Sequence, residues 1–225
     1  IFDGYSPLVC LKRNNKEEMK IYVVGGADNY VNFIENVQLV DKLEDAQLVV
    51  FTGGEDVTPS LYGCKKHRTT YSNLRRDQAE QAIFNKVDPK KQVCLGICRG
   101  SQFLCVMNGG KLIQNVTSHA NGFTHGITNK DKVYQITSTH HQMQYPFDLG
   151  GDDYDILFTS YEVESDYYEG DGIDPNAVFG REPEIVLYHK NGLPKCLAVQ
   201  GHPEMIPDSP QYFLSYLDGV TYMVS

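Results

Sequence analysis

Several things are missing from this sequence, and each absence narrows what it encodes. No apolar run approaches the roughly 20 residues that a membrane-spanning helix needs, so no membrane partner is expected. No basic segment followed by an apolar core is present, which leaves no secretory signal to remove and makes the cytosol the expected compartment. Positive charge is not in excess: the formal net charge is −9, which argues against a broad phosphate-binding surface and so against nucleic acid. The six cysteines (Cys10, Cys64, Cys94, Cys98, Cys105 and Cys196) contain no C-x-x-C pair. That pattern is neither a secreted disulfide framework nor a zinc motif, and it reads as reduced thiols. Internal repeats and low-complexity tracts are also absent.

What remains is a chain of 225 residues, 41% hydrophobic and 22% charged, of ordinary globular composition and suited to one domain with a well-buried core. Its charge is uneven. Residues 148–184 hold twelve acids and one base, Arg181. Eight aromatics between Tyr145 and Phe179 set this stretch apart from plain disorder. It reads as a solvated, packed surface excursion, with a lid or docking surface as the alternative. The basic cluster Lys65-Lys66-His67-Arg68 is the counterweight, a solvated loop or one flanking an active-site mouth.

The first half alternates. Ile21–Val24 is an apolar strand ending in Gly25-Gly26, and Val31, Ile34 and Val37 follow at helical spacing. Leu48–Thr52 is a second strand ending in Gly53-Gly54, Leu74–Lys86 an amphipathic helix, 92–97 a third strand and Gly100–Met107 another helix. Strands alternating with helices imply a parallel sheet covered on both faces. The second half supplies strands with few helices: Val133–Thr137, Ile156–Thr159, Ile185–His189 and Cys196–Gln200, with Asn191-Gly192 as a hairpin signal and a helix over 208–223. The expected fold class is therefore α/β, a mostly parallel sheet with an antiparallel addition. Residues 1–18 read as an extension, and 19–225 as the domain.

Residues 93–102, Val-Cys-Leu-Gly-Ile-Cys-Arg-Gly-Ser-Gln, carry the most chemistry. An apolar strand meets a helix through G-x-C-x-G, the thiol form of a nucleophile elbow. Residues two before and two after the central position come so close that side chains there would clash. Cys98 then sits at a helix N-terminus, which favours a thiolate, and the Arg99 backbone N–H faces a developing oxyanion. An ordinary buried cysteine at a glycine-rich turn fits this segment equally well. A thiolate nucleophile needs a base held by a third group. Gly201-His202-Pro203-Glu204, at the end of another apolar strand, supplies His202 with a carboxylate two residues on. Cys94 and Cys105 read as core positions, Glu80 as surface or a supporting residue, and His119 and His125 as loop residues. His140 and His141 have no carboxylate or thiol at ligand spacing, so neither a metal nor a cofactor is expected.

These motifs, with Gly53 through Tyr62, Arg76-Asp77 with Glu80, Asn108 through Gln114, His119 and Ser138-Thr139-His140-His141-Gln142, resemble the class I glutamine amidotransferase superfamily. The resemblance is to its γ-glutamyl hydrolase (peptidase C26) branch, typified by γ-glutamyl-γ-aminobutyrate hydrolase, and spans roughly residues 20–220. It implies a flavodoxin-like sheet with the site at the strands' C-terminal ends. It also implies Cys98 as nucleophile, His202 as base and then acid, and Glu204 as its orienter. Gly54 and Arg99 become the oxyanion-hole donors, and Gln102, Ser138, Thr139 and His140 the substrate pocket. The implied reaction is hydrolysis of a γ-glutamyl amide, either glutamine or a γ-glutamyl amine, with a synthetase partner receiving ammonia in the first case. Two departures from the branch stand out: little chain between the first two Gly-Gly pairs, and a long acidic segment. The alternatives are an inactive binding or regulatory protein on the same fold, and a peptidase or chaperone-like protein with a related elbow.

Overall fold

A computed structural model describes residues 18–206 and 211–222. The first half supplies β1 (Met19–Val23), β2 (Val37–Leu39), β3 (Leu48–Phe51), α1 (Leu74–Phe84), β4 (Val93–Ile97) and α2 (Arg99–Met107). Five strands follow: β5 (Lys111–Ile113), β6 (Asn115–Val116), β7 (Thr124–Thr128), β8 (Val133–Thr137) and β9 (Met143–Tyr145). The chain continues with β10 (Tyr154–Ser160), β11 (Tyr168–Glu169), α3 (Pro175–Val178), β12 (Pro183–Tyr188), β13 (Cys196–Val199) and α4 (Gln211–Tyr222).

Nine strands form one sheet in the order β2-β1-β3-β4-β13-β12-β10-β7-β8. From β2 to β13 every neighbour is parallel, and from β13 to β8 every neighbour is antiparallel. The expected α/β sheet, mostly parallel at its centre with an antiparallel addition, is the one observed. β3 and β4 are buried at every residue, as strands covered on both faces must be. Their alternate side chains feed two cores. Leu48, Val50, Leu95 and Ile97 pack with Leu217 of α4, whereas Val49, Phe51 and Cys94 pack with Phe84 of α1 and Phe103 and Leu104 of α2. The turn at Asn191-Gly192 joins β12 to β13 as a hairpin.

Some expectations fail for physical reasons. The helical spacing of Val31, Ile34 and Val37 does not make an α-helix. A 3-10 turn covers Asp28–Val31, Asn36 takes φ +53°, and Val37 pairs with Met19 as the start of β2. The segment is too short to repay helix nucleation, and the open edge of β1 offers its backbone a ladder instead. The short strands β5, β6, β9 and β11 carry too few residues for a period to register. The acidic stretch is packed structure: it holds β10, β11, α3 and the start of β12. Part of it meets the basic loop, with Lys65 N–H donating to Asp171 (2.9 Å) and His67 lying 3.5 Å from Glu169. Among the described residues, no helix is long and apolar enough to cross a membrane. The expected extension at 1–18 lies, apart from Glu18, outside the described residues.

Candidate functional site

β3, β4 and β13 lie side by side and run parallel, so the loops leaving their C-terminal ends meet at one edge of the sheet. Gly53-Gly54 leaves β3, Cys98 ends β4 and His202 follows β13. Cys98 has φ +53° and ψ −111°, a conformation costing a non-glycine residue about 1–3 kcal/mol. The surroundings hold it there: Cys98 N–H donates to Val199 of β13 (2.8 Å), and the Ser101 hydroxyl donates to the Cys98 carbonyl (2.7 Å). The flanking glycines are required by space. A Cβ on Gly96 would lie 2.5 Å from the Gly100 carbonyl oxygen, and one on Gly100 would lie 2.0 Å from that of Phe51. The strand-to-helix elbow read from G-x-C-x-G is therefore present, and Cys98 is a strained, buried residue that both packs in the core of the sheet and lines the pocket.

His202 Nδ1 lies 2.6 Å from Glu204 Oε1, and the neighbouring Cys98 side chain acts on the same imidazole. Burial pushes the imidazole down, but the hydrogen bonds and charges of Cys98 and Glu204 outweigh it and raise His202 to about 10. Thr137 of β8 accepts a hydrogen bond from the His202 backbone N–H (2.7 Å) and fixes the base from the other half of the sheet. Tyr30 is a neighbour that the sequence did not announce. Its ring stands 5.9 Å from that of His202, and its hydroxyl sits against Gly53. Burial, then the charges of Glu204 and Cys98, push the Tyr30 phenol up and keep it neutral.

Gly54 and Arg99 both line the pocket beside Cys98. Gly54 has φ +138°, open to glycine, and a Cβ there would strike the Arg76 guanidinium at 2.1 Å. Beneath them runs an ion network. The buried Arg99 side chain pairs with Asp77 and Glu80 on α1. Glu80 also accepts from Arg76 Nε (2.8 Å), while Arg76 donates to the Gly53 carbonyl (2.9 Å) and pairs with Glu55 (2.6 Å). Glu80 is thus a buried supporting residue, not a surface one. The i, i+3 spacing of Asp77 and Glu80 on a helix was the available signal.

The pocket is a small cavity of about 180 Å³, below the roughly 300–1,000 Å³ of drug-sized sites, so it suits a small acyl group. Gln102, Thr139 and His140 line it, as do Asp56, Tyr71 and His141. Gln102 donates to the Gln142 carbonyl (2.9 Å). His141 faces Asp56 at 3.0 Å, and that hydrogen bond raises it. Ser138 is not on the wall: it is fully buried, with its hydroxyl 2.7 Å from His125 Nδ1. His119 lies in a turn as expected, whereas His125 lies in β7 rather than a loop; both are buried, and with His140 they meet two buried carboxylates, Glu182 and Glu184, at the start of β12. Burial holds His140 neutral, down to about 3, and the charges of His125 and His119 hold Glu184 ionised, at about 2, against its own burial. Spacing around His140 offered no carboxylate because Glu184 arrives from a strand 44 residues away.

Comparison with known proteins supports the family resemblance and the fold. The family model described as Peptidase C26 matches residues 20–149, more than half of the chain. A protein of Lactococcus lactis named as glutamine amidotransferase-like (YvdE) is 29% identical over 190 residues, covering 82% of this chain and 73% of its own. A Mycobacterium tuberculosis protein named as a glutamine amidotransferase is 28% identical over 186 residues. That match covers 80% of this chain but 57% of the relative, so the chain spans less than two thirds of that relative's length. Among solved structures, a glutamine amidotransferase of Thermotoga maritima superposes with TM-score 0.54 at 14% identity, over 92% of this chain and 85% of that one. A Thermoplasma acidophilum structure described as part of a GMP synthase superposes with TM-score 0.56 at 15% identity, over 92% and 94%. These two establish the fold alone. By its family match and by its fold, the chain belongs to the peptidase C26 family of the class I glutamine amidotransferase-like superfamily.

Proposed function

We propose that this protein hydrolyses γ-glutamyl amides through a glutamyl thioester on Cys98. One observation carries the reading: a strained cysteine at a strand-to-helix turn, beside an imidazole that it perturbs and whose Nδ1 lies 2.6 Å from Glu204. The Cys98 thiolate attacks the side-chain amide carbon. Backbone N–H groups of Gly54 and Arg99 receive the negative charge that moves to the carbonyl oxygen. Protonated His202 gives its proton to the departing amine, and the C–N bond breaks as the thioester forms. His202, now neutral, takes a proton from water as the water attacks the thioester, and glutamate leaves with the thiolate restored. Gln102, Thr139 and His140 shape the glutamyl pocket, with Ser138 acting only from behind, through His125.

The residues that carry these steps need neither a cofactor nor a metal. Thiolate chemistry works where thiols stay reduced, and the cytosol is the compartment we assign. The family name favours glutamine as a substrate, with a synthetase as receiver of the ammonia; a γ-glutamyl amine cleaved without a partner is the second substrate arm. Glutamate release from glutamine and from a γ-glutamyl amine, measured for the full chain and for Cys98→Ala, tests the reading. Release that Cys98→Ala abolishes supports it. No release from either compound, with or without a synthetase, favours a binding protein on this fold.

A further inference from the structure

The histidine–glutamate cluster behind the pocket, of which His140 alone reaches the pocket wall, takes no part in the acyl-transfer steps, and several of its buried polar atoms lack a hydrogen-bond partner among the described residues. His140 donates Nδ1–H to the Gln142 carbonyl (2.9 Å), which leaves Nε2 as a bare lone pair. That nitrogen is buried and finds no hydrogen-bond partner among the described residues. His119 is fully buried and neither of its ring nitrogens makes a hydrogen bond among the described residues; Nε2 faces Glu182 at 3.5 Å and Nδ1 faces Glu184 at 3.6 Å. Glu184, also fully buried, accepts from the Ser160 hydroxyl through Oε1 (3.1 Å), and its Oε2 is unpartnered among the same residues. One ligand atom from each of His119, His140 and Glu184 lies within 4.8 Å of the others.

We propose that His119, His140 and Glu184 form a site for a divalent ion of the zinc class. Two imidazoles and one carboxylate are a donor set that zinc accepts, with a fourth position for water. Tetrahedral ligands at about 2.0–2.2 Å from an ion stand roughly 3.3–3.6 Å apart, so a closure of up to about 1.5 Å completes the site. The outer contacts are also those a metal histidine requires. The backbone carbonyl of Gln142 fixes the tautomer of His140, Glu182 stands behind Nε2 of His119, and Ser160 and His125 (3.0 Å) hold Glu184. Bound there, the ion ties β12 to the segment carrying Thr139 and His140, and so stiffens one wall of the pocket.

The test uses the full chain carrying Cys98→Ser, which removes the one pocket thiol able to bind a soft metal and makes the result independent of glutamate release. The metal-free protein is titrated with Co2+ alone, then with Zn2+. The expected result is one equivalent of Co2+ with the visible absorption of a four- or five-coordinate ion, displaced by Zn2+. Glu184→Gln and His119→Ala then abolish binding, and Glu182→Gln weakens it by about 10–100-fold. His119→Cys supplies a gain of signal that a poorly folded variant cannot imitate: a thiolate-to-cobalt charge-transfer band. The proposal is overturned if the parent takes up no stoichiometric Co2+, if uptake survives both His119→Ala and Glu184→Gln, or if His119→Cys binds cobalt without the new band.

Discussion

In the parallel half of the sheet, β3, β4 and β13 carry only apolar residues along their length and release polar groups at their ends. In the antiparallel half, β7, β10 and β12 turn His125, Ser160 and Glu184 inward, between apolar neighbours such as Ile127, Phe158 and Ile185. The first arrangement puts Cys98 and His202 at the edge of the sheet beside the pocket, where we place the substrate. The second buries charge under the rim, where it must be balanced by neighbours. Catalytic variants of the first half should therefore lose rate and keep the fold, whereas variants of the second should lose both.

The largest expected effect comes from Cys98→Ala, a loss on the order of 10⁵–10⁶ in kcat, read as glutamate release. Cys98→Gly sharpens the point: it should be equally inactive yet more stable by about 1 kcal/mol in urea, because glycine adopts φ +53° without strain. A less stable glycine variant would show that the turn is relaxed. Glu204→Gln comes next, with a fall in kcat on the order of 10²–10⁴. Its pH profile carries more information. His202 is raised from 6.5 to about 10, so its charged form contributes stability that is full below pH 6.5 and lost as pH rises through about 10. Activity that needs the imidazolium should fail over the same alkaline range, and Glu204→Gln should move that limb to lower pH. An unmoved limb would remove Glu204 from the role of orienter.

Thr137→Val joins the two halves. It strips the acceptor from the buried His202 N–H, at a cost of about 1–3 kcal/mol by thermal or urea unfolding, and should lower kcat more than it raises KM. Equal change in both would mean that β8 supports the substrate rather than the base. The smallest effect is expected at Phe179, 68% exposed in the acidic stretch: Phe179→Ser should leave stability within about 0.5 kcal/mol and leave KM unchanged. A rise in KM there would make that stretch a lid.

The same contrast explains what could be read without a structure. G-x-C-x-G and His-Pro-Glu are local: each places its groups within a few residues of a strand end, so the elbow turn, the His202–Glu204 pair and the parallel character of the central sheet were legible. The cluster at His119, His140 and Glu184 is assembled by antiparallel pairing over long separations, and no local pattern marks it. Val37 was misread for a related reason. Periodicity records which face is apolar, not whether an edge strand waits to be paired. Tyr30 and Ser138 show the limit at single residues, one joining the site from an irregular turn, the other withdrawn behind it.

Glu80 has a mechanical meaning beyond its charge. It is gripped at once by Arg76, which holds the carbonyl preceding Gly54, and by Arg99, which lines the pocket and is our second proposed donor. Two loops from different strands are thereby bolted to one point on α1 and move as a single rigid part. Play in either loop is passed to the other, so a substitution that shifts α1 misaligns both donors together, and no adjustment of one loop alone restores the pair.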